Sequence, residues 1–336
     1  MIDPANRQAR TERLEAVLRE LERRFGPWIV YRLRDTLPRA SAVTAIPSGA
    51  LSLDLALGIG GYPRGRIVEV VGPSGSGKSL LAFHLLANAQ RQRGFAVYVD
   101  ATHRADYEQM ARCGIKLSDL FLVVPESAAE AIEVAALLVE SRGLDALTIG
   151  PLAELIGRRV DYARDAARRL ARLNAVLDGS PTSVLFLTSD DSAGSASRGV
   201  LRSSGPAPAT FGRALRHFAS VRLQLAPLAP LRHSSGDILG WRVQVTATKN
   251  KLAPAQRQGV LELRRDRGID HAADLLDLGL ARGIVVEASA GLCLATHFLG
   301  RGRASALTTL QSDPFLAQTL REQLLSSLRD FRTEVK

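Results

Sequence analysis

One eight-residue stretch, GPSGSGKS, combines glycines, a lysine and a hydroxyl at a spacing that suits phosphate chemistry. It consists of Gly72, Pro73, Ser74, Gly75, Ser76, Gly77, Lys78 and Ser79. Glycines let backbone N–H groups close around phosphate oxygens, Lys78 is placed to reach the terminal phosphates, and the Ser79 hydroxyl is a ligand for Mg²⁺. An apolar run precedes the loop and a helical pattern follows it, which is the context this motif requires. We therefore predict a nucleotide site at the start of a helix.

The segments around this loop alternate between apolar strands and helices. The strand patterns GRIVEVV, GFAVYV, DALTI and SVLFLT are too apolar for a half-exposed sheet and are typical of parallel strands covered on both faces. The later patterns SVRLQL and WRVQVTATK indicate antiparallel additions to the sheet. Helical spacing in SLLAFHLLANAQRQ, SAAEAIEVAALLVES and RDAARRLARLNAVLDG supplies the covering layers. The sequence predicts an α/β fold with a mixed, mostly parallel sheet.

The two ends of the chain follow different patterns. In TERLEAVLRELERRFG the apolar residues recur at helical spacing, and the apolar run WIVYRL follows. We expect residues 1–34 to form a helix and strand arm for oligomerisation, with a helix folded back on its own domain as the alternative. Residues 35–269 are expected to form the nucleotide- and DNA-binding core, and residues 270–336 a small α+β domain.

Charge and composition restrict the class of partner. The chain has 336 residues, of which 46% are hydrophobic, and a formal net charge of +10. A positive surface favours polyanions such as nucleic acid, while the same charge spread over a solvated surface is the alternative. Two cysteines are too few for a disulfide framework. Because no segment offers the ~20 apolar residues of a membrane span, we expect a cytoplasmic protein without membrane contact.

Several stretches, in the same order and at similar spacing, resemble the RecA family of bacterial recombinases. They are LERRFG, SGALSLDLALGIGGYPRGRIVEVVGPSGSGKS, FASVRLQL and TKNKLAPAQRQ. The resemblance implies a RecA-like core that binds ATP and Mg²⁺, binds single-stranded DNA, forms filaments of identical subunits and acts in DNA repair or recombination. It further implies that Lys249 and Lys251 reach the ATP of a neighbouring subunit and that Asp106 contacts adenine.

Three positions of the hydrolytic site depart from the family pattern. The glutamate that activates water in the family is Thr102 here, the acid that assists the metal falls on Gly150, and the phosphate-sensing glutamine falls on Ser189. Threonine does not accept a proton at neutral pH. Since positioning and charge stabilisation supply most of phosphoryl-transfer catalysis, we expect ATP binding with weak or no hydrolysis.

Two other functions stay open at this point. One is an active DNA-dependent ATPase whose acid is supplied unconventionally by an aspartate near a strand end, although such aspartates more often cap turns or helices. The aspartates in question are Asp100, Asp145, Asp190 and Asp191. The other is a RecA-like accessory platform that partners a translesion polymerase or another recombinase.

Two segments resemble the family's DNA-facing loops. The first, around IGRRVDYA, is shorter than the family pattern by about ten residues. The second, Asp190–Phe218, is rich in Ser, Gly, Pro and Ala and ends in a flanking helix. Arginines in both segments are predicted to contact DNA phosphates without sequence preference. They are Arg158, Arg159, Arg198, Arg202 and Arg213.

Overall fold

The computed structural model describes residues 4–26, 43–152, 155, 160–189, 206–233 and 235–334. The chain divides into two compact units, Met1–Val43 and Thr44–Lys336. In the first unit, helix α1 spans Pro4–Phe25, as the helical spacing predicts. Its apolar residues Leu14 and Val17 are 59% and 55% exposed. The predicted strand WIVYRL lies outside the described residues, and the boundaries 1–34, 35–269 and 270–336 stay predictions.

The second unit contains a two-stranded ribbon and one large mixed sheet. The ribbon is β1 (Ala45–Ile46) and β2 (Tyr62–Pro63). The nine strands of the sheet are β3 (Arg66–Gly72), β4 (Ala96–Val99), β5 (Leu120–Val123), β6 (Ala146–Ile149), β7 (Ser183–Ser189), β8 (Val221–Arg232), β9 (Ile238–Asn250), β10 (Gln258–Arg264) and β11 (Gly268–Ile269). Their spatial order is β11-β10-β9-β8-β3-β7-β6-β4-β5.

The strand directions follow the predicted α/β pattern. From β5 through β8 all neighbouring strands are parallel, and β9, β10 and β11 continue the sheet antiparallel. Side chains of β3 alternate between two cores, because Val68 and Val70 pack on one face of the sheet and Ile67 packs on the other. Burial on both faces explains why these strands read as continuous apolar runs.

Helices cover both faces of this sheet. Those preceding the C-terminal part are α2 (Leu51–Leu57), α3 (Lys78–Arg91), α4 (Tyr107–Arg112), α5 (Ala128–Glu140), α6 (Val160–Leu177) and α7 (Pro206–Phe218). Buried residues of α3 belong to the first core, and those of α5, α6 and α7 belong to the second. None of the helices in the described part of the chain combines the length and apolar composition needed to cross a membrane.

A small antiparallel sheet and three helices complete the second unit. The strands are β12 (Val285–Ala288), β13 (Gly291–Leu294) and β14 (His297–Gly300), and the helices are α8 (His271–Ala281), α9 (Arg303–Ser312) and α10 (Pro314–Glu334). Leu276, Leu294 and Leu320 are buried in a third core shared by these elements. The predicted small α+β fold of this part is therefore confirmed.

The flanking helix of the second predicted DNA loop covers much of the segment Asp190–Phe218. Helix α7 begins at Pro206, and its residues Phe211 and Leu215 are buried in the second core. Phe211 is therefore a core residue. Residues 190–205 of the loop lie outside the described residues.

Candidate nucleotide-binding site

The phosphate loop connects the end of β3 to the start of α3. Gly75 and Gly77 have φ angles of 75° and 90°, in the left-handed region that glycine adopts without strain. A Cβ atom at Gly77 would lie 2.3 Å from Leu263 Cδ1, so a larger residue there would force the Leu263 side chain to shift in addition to straining the backbone. No side chain caps the N-terminus of α3. Its first-turn N–H groups and the positive end of the helix dipole therefore face the loop.

The polar side chains of the loop fit a polyphosphate. Lys78 is 9% exposed, and its Nζ donates to the carbonyl oxygens of Gly72 at 2.7 Å and Pro73 at 2.8 Å. The Ser76 hydroxyl is buried without a hydrogen-bond partner in the described part of the chain. Ser79 is exposed in the first turn of α3. These groups could hold phosphate oxygens and, through Ser79, one coordination position of Mg²⁺.

The three substituted positions lie at the same edge of the sheet as the phosphate loop. Gly72 pairs with Ser189 in the parallel register of β3 and β7. Gly150 follows β6, and Thr102 lies two residues after Asp100, which follows the neighbouring strand β4. The carboxyl ends of parallel strands meet at one edge, which is where ligands bind in such sheets. The tertiary structure thus brings the predicted positions together around the loop.

Gly150 leaves no acidic side chain at the end of β6. Its N–H donates to Val99 O at 2.9 Å. A Cβ atom on Gly150 would lie 3.2 Å from that oxygen and 3.7 Å from the Tyr98 hydroxyl. Burial, and secondarily the charge of Asp100, raises the pKa of Tyr98 to about 12, so its hydroxyl stays neutral. The nearest polar side chain at this position therefore cannot replace a carboxylate.

Asp100 stabilises its own turn. It is 3% exposed; Oδ1 accepts from the Thr102 N–H at 3.2 Å and the Thr102 hydroxyl at 3.1 Å, and Oδ2 accepts from the Ala105 N–H at 2.9 Å. The Thr102 hydroxyl is thus a donor to a buried carboxylate. It offers no base for an attacking water.

The other aspartates with a possible metal role divide into two groups. Asp145 precedes β6 and so lies at the opposite end of the sheet from the loop, where it pairs with Arg64 at 2.7 Å and accepts from the Phe95 N–H at 3.1 Å. Asp190 and Asp191 lie outside the described residues. The two of these aspartates that the structure describes are therefore unsuited to bind the metal. Asp145 lies at the opposite end of the sheet, and the Asp100 carboxylate accepts the hydrogen bonds of its own turn.

The predicted adenine side of the site is built on α4. Asp106 is the N-cap of this helix, and its Oδ1 accepts from the Gln109 N–H at 2.8 Å. Tyr107, the next residue, is 50% exposed. The contact of Asp106 with adenine stays a prediction, and the capping bond gives Asp106 a structural role independent of nucleotide.

Lys249 and Lys251 contact the C-terminus of α7. Lys249 Nζ donates to Arg216 O at 2.6 Å and His217 O at 3.1 Å, and Lys251 Nζ lies 3.5 Å from His217 O. Partial desolvation, followed by repulsion from Lys251, lowers the pKa of Lys249. Cations at a helix C-terminus stabilise its last carbonyl groups. The lysines therefore hold the helix that follows the second predicted DNA loop.

One buried charged residue near the site was not predicted. Glu69, in the middle of β3, is 3% exposed, pairs with Arg222 of β8 at 3.1 Å and accepts from the Thr188 hydroxyl at 3.1 Å. Burial raises the pKa of Glu69, and Arg222 opposes that effect. Through its hydrogen bond with Thr188, Glu69 links β3 to β7 at the residue that precedes Ser189. The sequence around Glu69, an apolar run with a single charge, does not indicate this role, because its partner Arg222 belongs to a strand far along the chain.

The predicted DNA-contacting arginines fall mostly outside the described residues. This applies to Arg158, Arg159, Arg198 and Arg202. Arg213 is described and is exposed on α7, on the face opposite the buried Phe211 and Leu215. On α6, Arg169 and Arg172 are engaged by Glu133, so that part of the basic helix is neutralised.

A phosphate loop at the carboxyl edge of a mostly parallel sheet, with antiparallel strands extending the sheet, defines a nucleotide-binding protein of the P-loop class. The family profile "RecA N-terminal domain" matches residues 12–270. The chain belongs to the RecA family, whose members act in DNA recombination and repair.

Known relatives are similar over almost their whole length. Protein RecA of a Nocardioides species is 34% identical over 330 residues, which cover 95% of this chain and 92% of the relative. Protein RecA of Geobacter sulfurreducens is 35% identical over 326 residues, covering 93% and 94%. Protein RecA of Thermus thermophilus is 35% identical over 329 residues, covering 95% of each chain. The resemblance inferred from the sequence is therefore confirmed.

Proposed function

We propose that this RecA-family protein binds Mg²⁺-ATP and single-stranded DNA, assembles into filaments, and hydrolyses ATP weakly or not at all. One observation supports this proposal above others. The phosphate loop has the glycine geometry and the side chains that suit phosphate binding, while the resemblance to the RecA family assigns Gly150 and Thr102 to two positions where that family carries carboxylates for hydrolysis. Binding and turnover depend on different residues, so one can persist without the other.

The residues of the loop carry the binding step. The backbone of Gly75–Ser79 supplies N–H groups at a helix N-terminus, and the Lys78 ammonium supplies a charge-assisted donor. Ser79 would be the protein's ligand for Mg²⁺, through its hydroxyl oxygen. Mg²⁺ would neutralise only part of the phosphate charge, so the bound pair would still add net negative charge to the protein.

The hydrolytic step lacks its proton acceptor. A positioned general base contributes about 10²–10⁴-fold to rate, and the Thr102 hydroxyl instead donates to Asp100. We therefore expect turnover at least ~100-fold below that of a family member with the glutamate. ATP would act chiefly as a structural ligand, and Lys249 and Lys251 keep a role at the nucleotide of a neighbouring subunit in this proposal.

An exposed sheet edge supports assembly into filaments. Strand β5 is the last strand of the nine-stranded sheet, and its residues Phe121 and Leu122 are 58% and 39% exposed. Phe95, 58% exposed, lies beside Phe121 with the two rings tilted and their centroids 6.4 Å apart. Within the described part of the chain this apolar edge pairs with no further strand, and such an edge is a template for a strand of another chain. We propose that the 1–34 arm of a neighbouring copy covers it.

Nucleotide binding and turnover must be measured separately to test this function. Equilibrium binding of a fluorescent ATP analogue with Mg²⁺ is expected for the wild type and lost in Lys78→Ala. ATP hydrolysis, with and without single-stranded DNA, is expected near the level of Lys78→Ala. DNA-stimulated turnover comparable to an ordinary RecA would contradict the proposal and favour the active-ATPase alternative with Asp190 or Asp191 as its acid.

Electron microscopy distinguishes filament formation from an accessory platform. With single-stranded DNA and a nonhydrolysable ATP analogue, the proposal requires helical filaments on the DNA. A protein that binds the analogue yet stays unassembled would instead support the second alternative, a platform for a translesion polymerase or another recombinase.

A further inference from the structure

A groove of about 1030 Å³ lies between α2, β9, β10, α8 and α10 of the second unit. Four arginines from different elements line it, together with aliphatic side chains. They are Arg242 of β9, Arg257 before β10, Arg282 after α8 and Arg321 of α10. We refer to this feature as the arginine groove. Its lining, all within the described residues, is separate from residues 72–79 of the phosphate loop.

Two of these arginines are available to bind an anionic ligand. Arg257 and Arg321 are exposed, and neither forms an ion pair within the described part of the chain. The Arg257 guanidinium lies beside the Gly58 backbone, where a Cβ atom on the glycine would be 3.3 Å from its Nη1. Arg242, in contrast, is held by Asp277 at 3.0 Å. Guanidinium groups bind carboxylates in a fixed bidentate geometry.

Two of the three acidic residues that line the groove, Asp54 and Asp274, are turned to polar groups of the protein itself, and the third, Asp277, pairs with Arg242 and Arg303. Asp54 is 7% exposed and accepts from the Ser48 N–H at 2.8 Å; Asp274 is 4% exposed and accepts from the Ser52 hydroxyl and the Leu51 N–H. Burial raises the pKa of Asp54 to about 7 and that of Asp274 to about 6. Asp54 is therefore partly protonated near pH 7, whereas Asp274 is mostly ionised there and directs its charge to the Ser52 and Leu51 donors, which leaves the exposed Arg257 and Arg321 to face a ligand.

The walls of the groove are aliphatic. Leu55, Ile59, Leu278 and Leu325 are half-buried and line it, and no aromatic residue occurs among its described lining residues. Single-stranded nucleic acid is usually held by aromatic stacking along a basic track, which this groove does not provide. Aliphatic side chains flanked by carboxylates match both the walls and the arginines.

We infer that the arginine groove docks an acidic amphipathic segment of a partner protein, with its apolar side chains against Leu55 and Leu278 and its carboxylates on Arg257 and Arg321. The surface lies outside the nucleotide site, so the inference does not depend on how ATP is used. A protein that assembles on DNA would through this groove recruit a second protein to the filament.

The probe for this inference is a fluorescein-labelled synthetic helical peptide of leucine and glutamate, with leucines on one face. Anisotropy titrations with the full chain should show saturable binding. A peptide with every glutamate replaced by lysine should bind at least ~10-fold more weakly, as should an acidic peptide of the same composition with its leucines spread around the helix. Equal binding of all three peptides would overturn the inference.

Charge-reversed variants locate the binding. Arg257→Glu combined with Arg321→Glu should weaken acidic-peptide binding at least ~10-fold. The matched control, Arg168→Glu with Arg265→Glu, changes two other exposed arginines and the same net charge, and should bind within about two-fold of wild type. If the two double variants weaken binding equally, only general charge attracts the peptide and the inference fails.

A steric pair of variants tests the apolar part. Ala281→Trp would fill the groove from an exposed lining position and should weaken peptide binding, whereas Leu280→Trp, its exposed neighbour outside the lining, should not. Binding of oligo(dT) is measured in parallel. Loss of oligo(dT) binding in the Arg257→Glu, Arg321→Glu variant with unchanged peptide binding would make this a nucleic-acid surface and overturn the inference.

Discussion

At the scale of single residues, the proposed loss of hydrolysis rests on Thr102 and Gly150, and both residues fit the fold around them. Thr102 is half-buried and satisfied by Asp100, and Gly150 keeps the strand-end hydrogen bond to Val99. Neither residue belongs to a hydrophobic core. The scaffold can therefore keep its stability with the two residues that the proposal makes responsible for weak hydrolysis.

This arrangement predicts that turnover can be partly restored. Thr102→Glu, combined with Gly150→Asp, should raise DNA-dependent ATP hydrolysis at least ~10-fold, because a base and a metal-directed carboxylate return. Gly150→Asp alone should lower stability, since its Cβ would lie 3.2 Å from Val99 O and the strands must shift. Phosphate release measures the first effect and thermal unfolding the second. The isosteric Thr102→Gln with Gly150→Asn is the control and should stay inactive; equal rates for both pairs would contradict the assigned roles.

Asp54 predicts a pH dependence of stability. Burial raises the pKa of Asp54 from 3.8 to about 7, so the folded state holds a proton that the unfolded state has lost between these values. The stability that protonated Asp54 contributes is fully present below about pH 4 and is lost as pH rises through about 7. The free energy of unfolding falls by ~4 kcal/mol over this range. Asp54→Asn does not titrate. Its unfolding free energy, relative to wild type, should therefore increase from pH 4 to pH 8 in urea titrations.

Asp266 provides the control of opposite sign. A hydrogen bond from Arg264 lowers the pKa of Asp266 to about 2, so the stability it contributes is present above 3.8 and is lost only as pH falls through about 2. The difference between Asp266→Asn and wild type should stay level from pH 4 to pH 8. A rising difference for both variants would show that Asp54 is not the titrating group.

At the scale of elements, the exposed edge strand β5 predicts where subunits meet. Phe121→Glu places a charge on the apolar edge and should prevent assembly on single-stranded DNA, with little effect on the fold because Phe121 is 58% exposed. Phe298→Glu, at a 51% exposed position of the small sheet, is the matched control. Sedimentation velocity with DNA and an ATP analogue measures both. Normal filaments from Phe121→Glu would place the interface elsewhere.

Helix α7 predicts a second effect at this scale. Lys249→Met removes a cation from two carbonyl groups in the last turn of the helix, those of Arg216 and His217, and should destabilise its C-terminus by about 0.3–1 kcal/mol. Amide hydrogen exchange should rise in α7 without nucleotide present, while exchange in α5 stays unchanged. Unaltered protection of α7 would show that the contact contributes no stability.

At the scale of the whole molecule, the net charge of +10 predicts binding to DNA that weakens steeply with salt. Each alanine substitution that removes a phosphate contact should lower the slope of log affinity against log salt by ~0.7 for a single strand. The substitutions are Arg158→Ala, Arg159→Ala, Arg198→Ala, Arg202→Ala and Arg213→Ala. Anisotropy of labelled oligo(dT) across salt concentrations measures the slopes. A slope that none of these changes alters would place the DNA contact on another surface.

The sequence by itself determined the local features of this protein. Three features can be recognised in the sequence alone: the phosphate loop, the order of strands and helices, and the residues Thr102 and Gly150. They can be recognised because each depends on neighbouring residues and regular spacing. The family likewise follows from motifs in order along the chain. Each of these features is encoded within a short window, where local geometry and side-chain type decide the outcome.

Only the tertiary structure decided which distant groups meet. In the folded chain Asp100 accepts hydrogen bonds within its own turn, and Asp145 lies at the end of the sheet opposite the phosphate loop. Glu69 pairs with Arg222. The tertiary structure also gathered four arginines from separate elements into one groove. Spacing along the chain does not encode these contacts, because parallel strands join through helical crossovers and neighbours in space come from remote parts of the sequence.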